Sequence, residues 1–236
     1  MKPVAIFRHA PTEGPGYFAT FLDSHRISWE MIKIDAGDSV PADPSRYSGL
    51  VFMGGPMSVN DSLPWIPGSL ALIRQAAKSG IPVLGHCLGG QLMAKALGGE
   101  VGRNPIKEIG WGEVVVADNA AAKAWFGETR KFNAFHWHGE TFSLPPGAEL
   151  VLSSAHCAHQ AFVLDGRHLA MQCHVEMTEA MVMEWYAVGA DEVAAASSSP
   201  AVQSAVTAET NLAQRVAALN AVSEQLYLKW IGGLAA

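Results

Sequence analysis

Cysteine is scarce in this chain of 236 residues, with three in all, at positions 87, 157 and 173. An odd, sparse count without regular spacing excludes a disulfide framework and fits a reducing compartment. Charge is thin as well. Only 16% of residues are charged, and acids outnumber Lys and Arg 22 to 16, for a formal net charge of -6. That balance carries no basic footprint for nucleic acid or for an anionic membrane surface. No apolar run approaches the roughly 20 residues that span a bilayer. The apolar opening at 3–7 is broken by Arg8-His9, too early for a secretory leader. The cytoplasm is the expected location. Internal repeats and low-complexity tracts are also missing. With 49% hydrophobic residues, the expected product is a soluble domain with a sizeable core.

In the first half, short apolar runs alternate with helical patterns. Strands are expected at 4–7, 29–34, 49–53 and 81–84, and helices at 16–24, 66–78 and 88–97. This alternation predicts an α/β fold of three layers, a mainly parallel central sheet flanked by helices. Ligands of such sheets bind at the carboxyl ends of the strands. The second half is richer in β-type segments, at 112–116, 132–137, 150–153, 161–164 and 169–174, which read as hairpins and added strands. A helix is expected at 178–187 and a small, polar linker at 194–200. From 201 to 231 the chain favours helix, with Leu212, Val216, Leu219, Leu226 and Trp230 on one stripe. That stripe packs on the domain or forms a homodimer contact. The expected division is a domain over 1–190 and a C-terminal helical extension over 191–236.

The chemistry is concentrated in Gly85-His86-Cys87-Leu88-Gly89-Gly90-Gln91. This stretch joins an apolar strand to a helix through a sharp turn, with Cys87 at the turn and a glycine two residues to either side. The layout is a nucleophile elbow with cysteine in place of serine. The unpaired N–H groups at the start of the following helix favour negative charge at the sulfur. A thiol nucleophile needs a base, and the base needs an orienting group. His174-Val175-Glu176 supplies both, because alternation in an extended segment puts His174 and Glu176 on one face. The N–H of Leu88 is a candidate oxyanion donor. The expected third strand ends in Met53-Gly54-Gly55-Pro56, a turn that leaves further N–H groups uncovered. It is not a phosphate loop, for no Gly-Lys-Ser/Thr follows.

Gly-Gly-Pro after the third strand, Gly-x-Cys-x-Gly-x-Gln at the elbow and a later His-x-Glu, in this order, resemble the class I (triad) glutamine amidotransferase family over roughly residues 1–190. Among its members the chain looks most similar to stand-alone glutaminase domains such as that of GMP synthetase. The resemblance implies a flavodoxin-like fold. It makes Cys87 the nucleophile, His174 the general base and acid, and Glu176 the orienter. It puts Gly55 and Leu88 in the oxyanion hole and Gly54 and Gln91 against the bound substrate. Trp137-His138-Gly139-Glu140 stands where the family has Ser-His-Gly-Asp, a segment whose backbone holds the amino-acid end of glutamine. Trp137 replaces the family's Ser. The implied reaction is hydrolysis of the glutamine side-chain amide through a γ-glutamyl thioester, with no metal and no organic cofactor. Ammonia would pass to an acceptor or to a separate synthetase subunit.

Other readings remain open at this level. A γ-glutamyl peptide or amide hydrolase would use the same thioester, and a regulator could keep the fold without the activity. Arg8-His9-Ala10-Pro11-Thr12 resembles the Arg-His-Gly-x-Thr of histidine phosphatases, but that reading leaves the elbow unexplained. His136-x-His138 with Cys157-x-His159 offers four zinc-type ligands without a standard spacing.

Overall fold

Alternation along the first strands sorts their side chains into two layers. In β1 (Val4–Arg8), Val4 and Ile6 join one core while Ala5 and Phe7 join the other. In β3 (Gly49–Phe52), Val51 lies on the first side and Leu50 and Phe52 on the second. Both strands are therefore buried on both faces, as parallel strands between helical layers must be. The computed structural model describes residues 2–235.

β1 pairs in parallel with β2 (Trp29–Lys33) and β3, β3 with β4 (Val83–His86), and β4 with β9 (His168–Met171). The sheet continues antiparallel through β8 (Ala161–Leu164), β7 (Glu149–Ser154) and β5 (Val101–Val116). β6 (Lys131–Phe142) forms a long antiparallel ribbon with β5. A two-residue strand, β10 (Ala201–Val202), closes the edge in parallel with β5. One face is covered by α2 (Ile66–Lys78) and α3 (Leu88–Ala96). The other is covered by α1 (Tyr17–Ser24), α4 (Ala120–Phe126), α5 (Glu179–Val188) and α8 (Leu212–Ile231). This is the expected three-layer α/β architecture with added antiparallel strands.

Several boundaries move for local reasons. β4 starts at Val83 because Pro82 has no N–H for the ladder, and it runs on through Gly85 and His86 to the edge of the elbow. β5 is sixteen residues long, with a register break between Arg103 and Glu108 that contains Pro105. Part of the expected linker at 194–200 is helical, since α6 (Ala190–Ala195) precedes the turn. The expected helix over 201–231 is divided into β10, α7 (Ala205–Glu209) and α8, with Asn211 in the left-handed region (φ 56°) before α8.

The last helix, α8, folds back onto the sheet. Leu212, Val216, Leu219, Leu226 and Trp230 are all buried in the core that holds Val4, Ile6 and Val51. Phe18 meets Tyr227 and Trp230 edge to face, at 4.7 and 5.7 Å between centroids. Each side chain of this size contributes roughly 1.5–3 kcal/mol on burial, so the stripe is consumed within its own chain. No helix among the described residues is long and apolar enough to cross a membrane.

Candidate active site

Cys87 sits between β4 and α3 with φ 50° and ψ −107°. A non-glycine residue held there costs about 1–3 kcal/mol and persists only where its surroundings enforce it. The enforcement is visible on both sides. The N–H of Cys87 donates to Met171 O at 2.8 Å, and its own carbonyl accepts from Gln91 N at 2.9 Å. A Cβ on Gly85 would lie 2.5 Å from the backbone of Gly89, and one on Gly89 would lie 1.9 Å from Phe52 O. The two glycines thus let strand, turn and helix touch directly.

His174 lies three residues beyond the end of β9, tied to β6 by a bridge in which its N–H donates to Phe135 O at 2.8 Å. Its ring stands edge to face against Trp185, 4.8 Å between centroids. Nδ1 donates to Glu176 Oε1 at 2.7 Å, which fixes the tautomer and leaves Nε2 buried without a hydrogen-bond partner among the described residues. Burial opposes charge on His174, but Glu176 and the Cys87 sulfur outweigh it and hold the imidazole well above its ordinary pKa. Burial likewise opposes charge on Glu176, yet His86 and His174 bring its carboxyl down to about 2. Each partner of the pair favours the charged form of the other.

The oxyanion candidates lie where the sequence puts them. Leu88, as the first residue of α3, has no acceptor one turn earlier in its own helix. A Cβ on Gly55 would lie 2.7 Å from Leu88 Cδ2, so the Gly54-Gly55 turn passes close over the start of α3. Neither N–H donates to another backbone group among the described residues. Gln91, Trp137 and His138 line the cavity above Cys87, together with Glu13, Lys107 and Glu192; its volume is about 480 Å³. Trp137 O faces the thiol at 3.8 Å, while its indole N–H donates to Glu192 at 2.9 Å.

Sequence reasoning missed the residues that brace this group. Gln172 donates from Nε2 to Cys87 Sγ at 3.4 Å and accepts from Gln91 Nε2 at 3.1 Å, which locks Gln91 in place. His86 is fully buried, with Nε2 3.6 Å from Glu176 Oε2 and 3.3 Å from the Tyr227 hydroxyl. Burial lowers its pKa against the upward pull of Glu176. Ser223 Oγ donates to Val175 O at 2.5 Å. The available signal was a serine and a tyrosine at positions 223 and 227, four and eight residues after Leu219, within the buried stripe of α8.

Arg8 and His9 have structural partners. Arg8 makes a two-pronged ion pair with Asp35 at 3.0 and 2.7 Å. His9 is buried under the Gly54-Gly55 turn with Nδ1 3.0 Å from Met53 O, and burial lowers its pKa to about 4. The four residues of zinc-ligand type do not converge. Cys157 pairs with Thr141 and His159 Nδ1 with Phe142 O, away from His136 and His138. Among the described residues, the group with metal-type spacing is Glu108, His136 and His138. The Gln160 amide already bridges its Glu108 and His136, at 2.8 and 3.3 Å.

A cysteine elbow, a buried His–Glu pair and a Gly-Gly turn thus meet at the carboxyl edge of the parallel part of the sheet. The family description that matches residues 21–181 is glutamine amidotransferase class-I. The chain belongs to this family. It is 29% identical over 180 residues to the glutamine amidotransferase-like protein YfeJ of Salmonella typhimurium, covering 72% of this chain and 74% of that one. It is 37% identical over 149 residues to a glutamine-hydrolysing GMP synthase of Aeropyrum pernix, covering 63% of this chain but only 28% of that protein. Among solved structures, a glutamine amido transferase from Methylobacillus flagellatus superposes with a TM-score of 0.98 at 47% identity, over 100% of this chain and 96% of that one. A glutamine amidotransferase from Thermotoga maritima gives 0.87 at 26% identity, over 98% of each.

Proposed function

We propose that this protein hydrolyses the side-chain amide of glutamine, with Cys87 as nucleophile, His174 as general base and acid, and Glu176 as its orienter. The observation that carries the reading is the orientation of His174. Its Nδ1 is committed to Glu176, and the ring is within reach of the sulfur of the strained Cys87, which raises its pKa.

Sγ attacks the γ-carbonyl carbon while the N–H groups of Gly55 and Leu88 receive the developing oxyanion. The proton that leaves the thiol resides on His174 Nε2. It passes from there to the departing nitrogen, the C–N bond breaks, and ammonia leaves with the γ-glutamyl group on sulfur. Water then gives a proton to Nε2 and attacks the thioester. The C–S bond breaks and glutamate is released. Gln91 and the backbone of Trp137 and His138 hold the amino-acid end. No step in this scheme requires a metal or an organic cofactor. Ammonia passes to an acceptor or to a synthetase partner, a reading supported by the glutamine-hydrolysing GMP synthases among the relatives.

Intact-protein mass spectrometry with glutamine, alongside ammonia and glutamate release, tests this. A γ-glutamyl adduct on Cys87, with turnover lost in Cys87→Ala and Cys87→Ser, is the expected result. Turnover that persists in both variants sinks the assignment.

A further inference from the structure

Glu108 is a buried carboxylate that the thioester scheme does not use. Its Oε2 accepts from Gln160 Nε2 at 2.8 Å and stands 3.0 Å from His138 Nε2, and its Oε1 accepts from Ser154 Oγ at 3.2 Å. Burial opposes charge on Glu108, but His138, His136 and Ser154 outweigh it and hold the carboxyl below its ordinary pKa. A buried ion pair seldom adds stability over an apolar pair of similar volume, because both charges have left water. What a satisfied pair of this kind can supply is a fixed geometry.

The geometry it fixes borders the cleft. Glu108 and His138 are cross-strand partners, at the point where the β5–β6 ladder resumes after its break. Side chains of such partners leave the ribbon on the same face. His138 Nδ1 donates to Glu140 O at 2.9 Å, two residues along its own strand. The ring is therefore held at both nitrogens, by a carboxylate of β5 and by a carbonyl of β6. The second contact spans Gly139 and shapes the backbone around it. Trp137, His138, Gly139 and Glu140 all line the cavity above Cys87, whereas Glu108 does not. At one end of this segment Trp137 O stands 3.8 Å from Sγ. At the other, the Glu140 carboxylate accepts from Ser58 Oγ at 3.1 Å, on the loop that follows the Gly54-Gly55 turn.

We propose that Glu108 is a positioning residue for substrate binding, and that through His138 it sets the 137–140 backbone that receives the amino-acid end of glutamine. This rests on the thioester reading above and deepens it, by separating a group that governs binding from those that carry the reaction. The amino-acid end does not react, so its contacts are the same in the ground state and in the transition state. A loss of contacts of that kind raises KM and leaves kcat in place. Cys87, His174 and Glu176 keep their own supports in Gln172, His86 and Ser223, none of which touches Glu108.

The test uses Glu108→Gln, which keeps the shape and removes the charge, and Glu108→Asp, which keeps the charge and draws it back by one methylene. Each is assayed for glutamine turnover and for alkylation of Cys87 by iodoacetamide, which reads the thiol without the amino-acid end. In Glu108→Gln, KM is expected to rise roughly tenfold, with kcat within about twofold of wild type and alkylation unchanged. Glu108→Asp is expected in between. Calorimetric binding of glutamine to Cys87→Ala, with and without Glu108→Gln, is expected to weaken by the same factor. A folded Glu108→Gln with wild-type KM and affinity overturns the proposal. A fall in kcat and in alkylation, whether or not KM moves, places the defect at the thiol and also overturns it. If Glu108→Gln gives no soluble protein, and Glu108→Asp either fails likewise or folds with wild-type KM, Glu108 serves the fold alone and the proposal falls. A wild type that neither turns over glutamine nor forms an adduct on Cys87 overturns the thioester reading and the proposal together. An active wild type with an unmoved KM in the variants overturns the proposal alone.

Discussion

The hydroxyl of Tyr227 lies 3.3 Å from Nε2 of His86, the residue that precedes the candidate nucleophile. His86 in turn faces Glu176 Oε2 at 3.6 Å. One turn earlier on α8, Ser223 holds the carbonyl of Val175, between His174 and Glu176. The last helix of the chain therefore holds the His174–Glu176 pair from behind. Tyr227→Phe removes a partner of a buried histidine and leaves the ring packing against Phe18 in place. Expected is a several-fold lower kcat with KM unchanged. A change in KM alone counts against a positioning role. Ser223→Ala leaves a buried carbonyl short of a donor and costs about 1–3 kcal/mol in denaturant unfolding.

Strain at Cys87 sets activity against stability. With φ 50° and ψ −107°, Cys87→Gly relieves the backbone and is expected to stabilise the fold by about 1 kcal/mol while abolishing turnover. A thermal unfolding scan reads the first effect and an ammonia assay the second. A Cys87→Gly variant less stable than the wild type means that packing at the thiol outweighs the strain.

The elbow glycines answer to contact rather than to helix propensity. Gly89→Ala drives a methyl to within 1.9 Å of Phe52 O and is expected to cost at least about 3 kcal/mol or to prevent folding. Gly102→Ala, in β5 with nothing within 4 Å, is expected to change stability by less than about 0.5 kcal/mol. Soluble yield and urea midpoints of the two variants check the contrast.

Acid stability follows from Glu176. Its folded pKa, about 2, is below the ordinary 4.5, so its contribution is present above pH 4.5 and is lost as pH falls toward 2. Glu13 has the opposite sign. Its folded pKa of about 7 is above 4.5, so its contribution is present below pH 4.5 and is lost as pH rises through 7. Glu13→Gln is therefore expected to raise Tm relative to wild type at pH 8 by a few degrees, and much less at pH 4. Equal shifts at both values would mean that Glu13 carries no such burden.

What the sequence determined by itself is local. The glycine at 85 marks a turn by itself, because the clash it avoids is with the helix that follows at Gly89, whereas the clash that Gly89 avoids is with Phe52 O of β3. The two-residue separation of His174 and Glu176 puts both on one face of an extended segment. Unbroken apolar runs in β1 and β3 specify a sheet buried on both sides. What only the tertiary structure decided is long-range pairing. β10 is two residues long and exists because β5 offers Ile109 as a partner. Glu13 and His174 are 161 positions apart and have no shared pattern, yet both meet at Gly54. Ser223 and Tyr227 read as ordinary residues of a helix stripe until that stripe is laid against the elbow. A local clash or a two-residue periodicity leaves its mark in a short stretch of sequence. A contact across the sheet depends on how layers pack, and no single stretch encodes it.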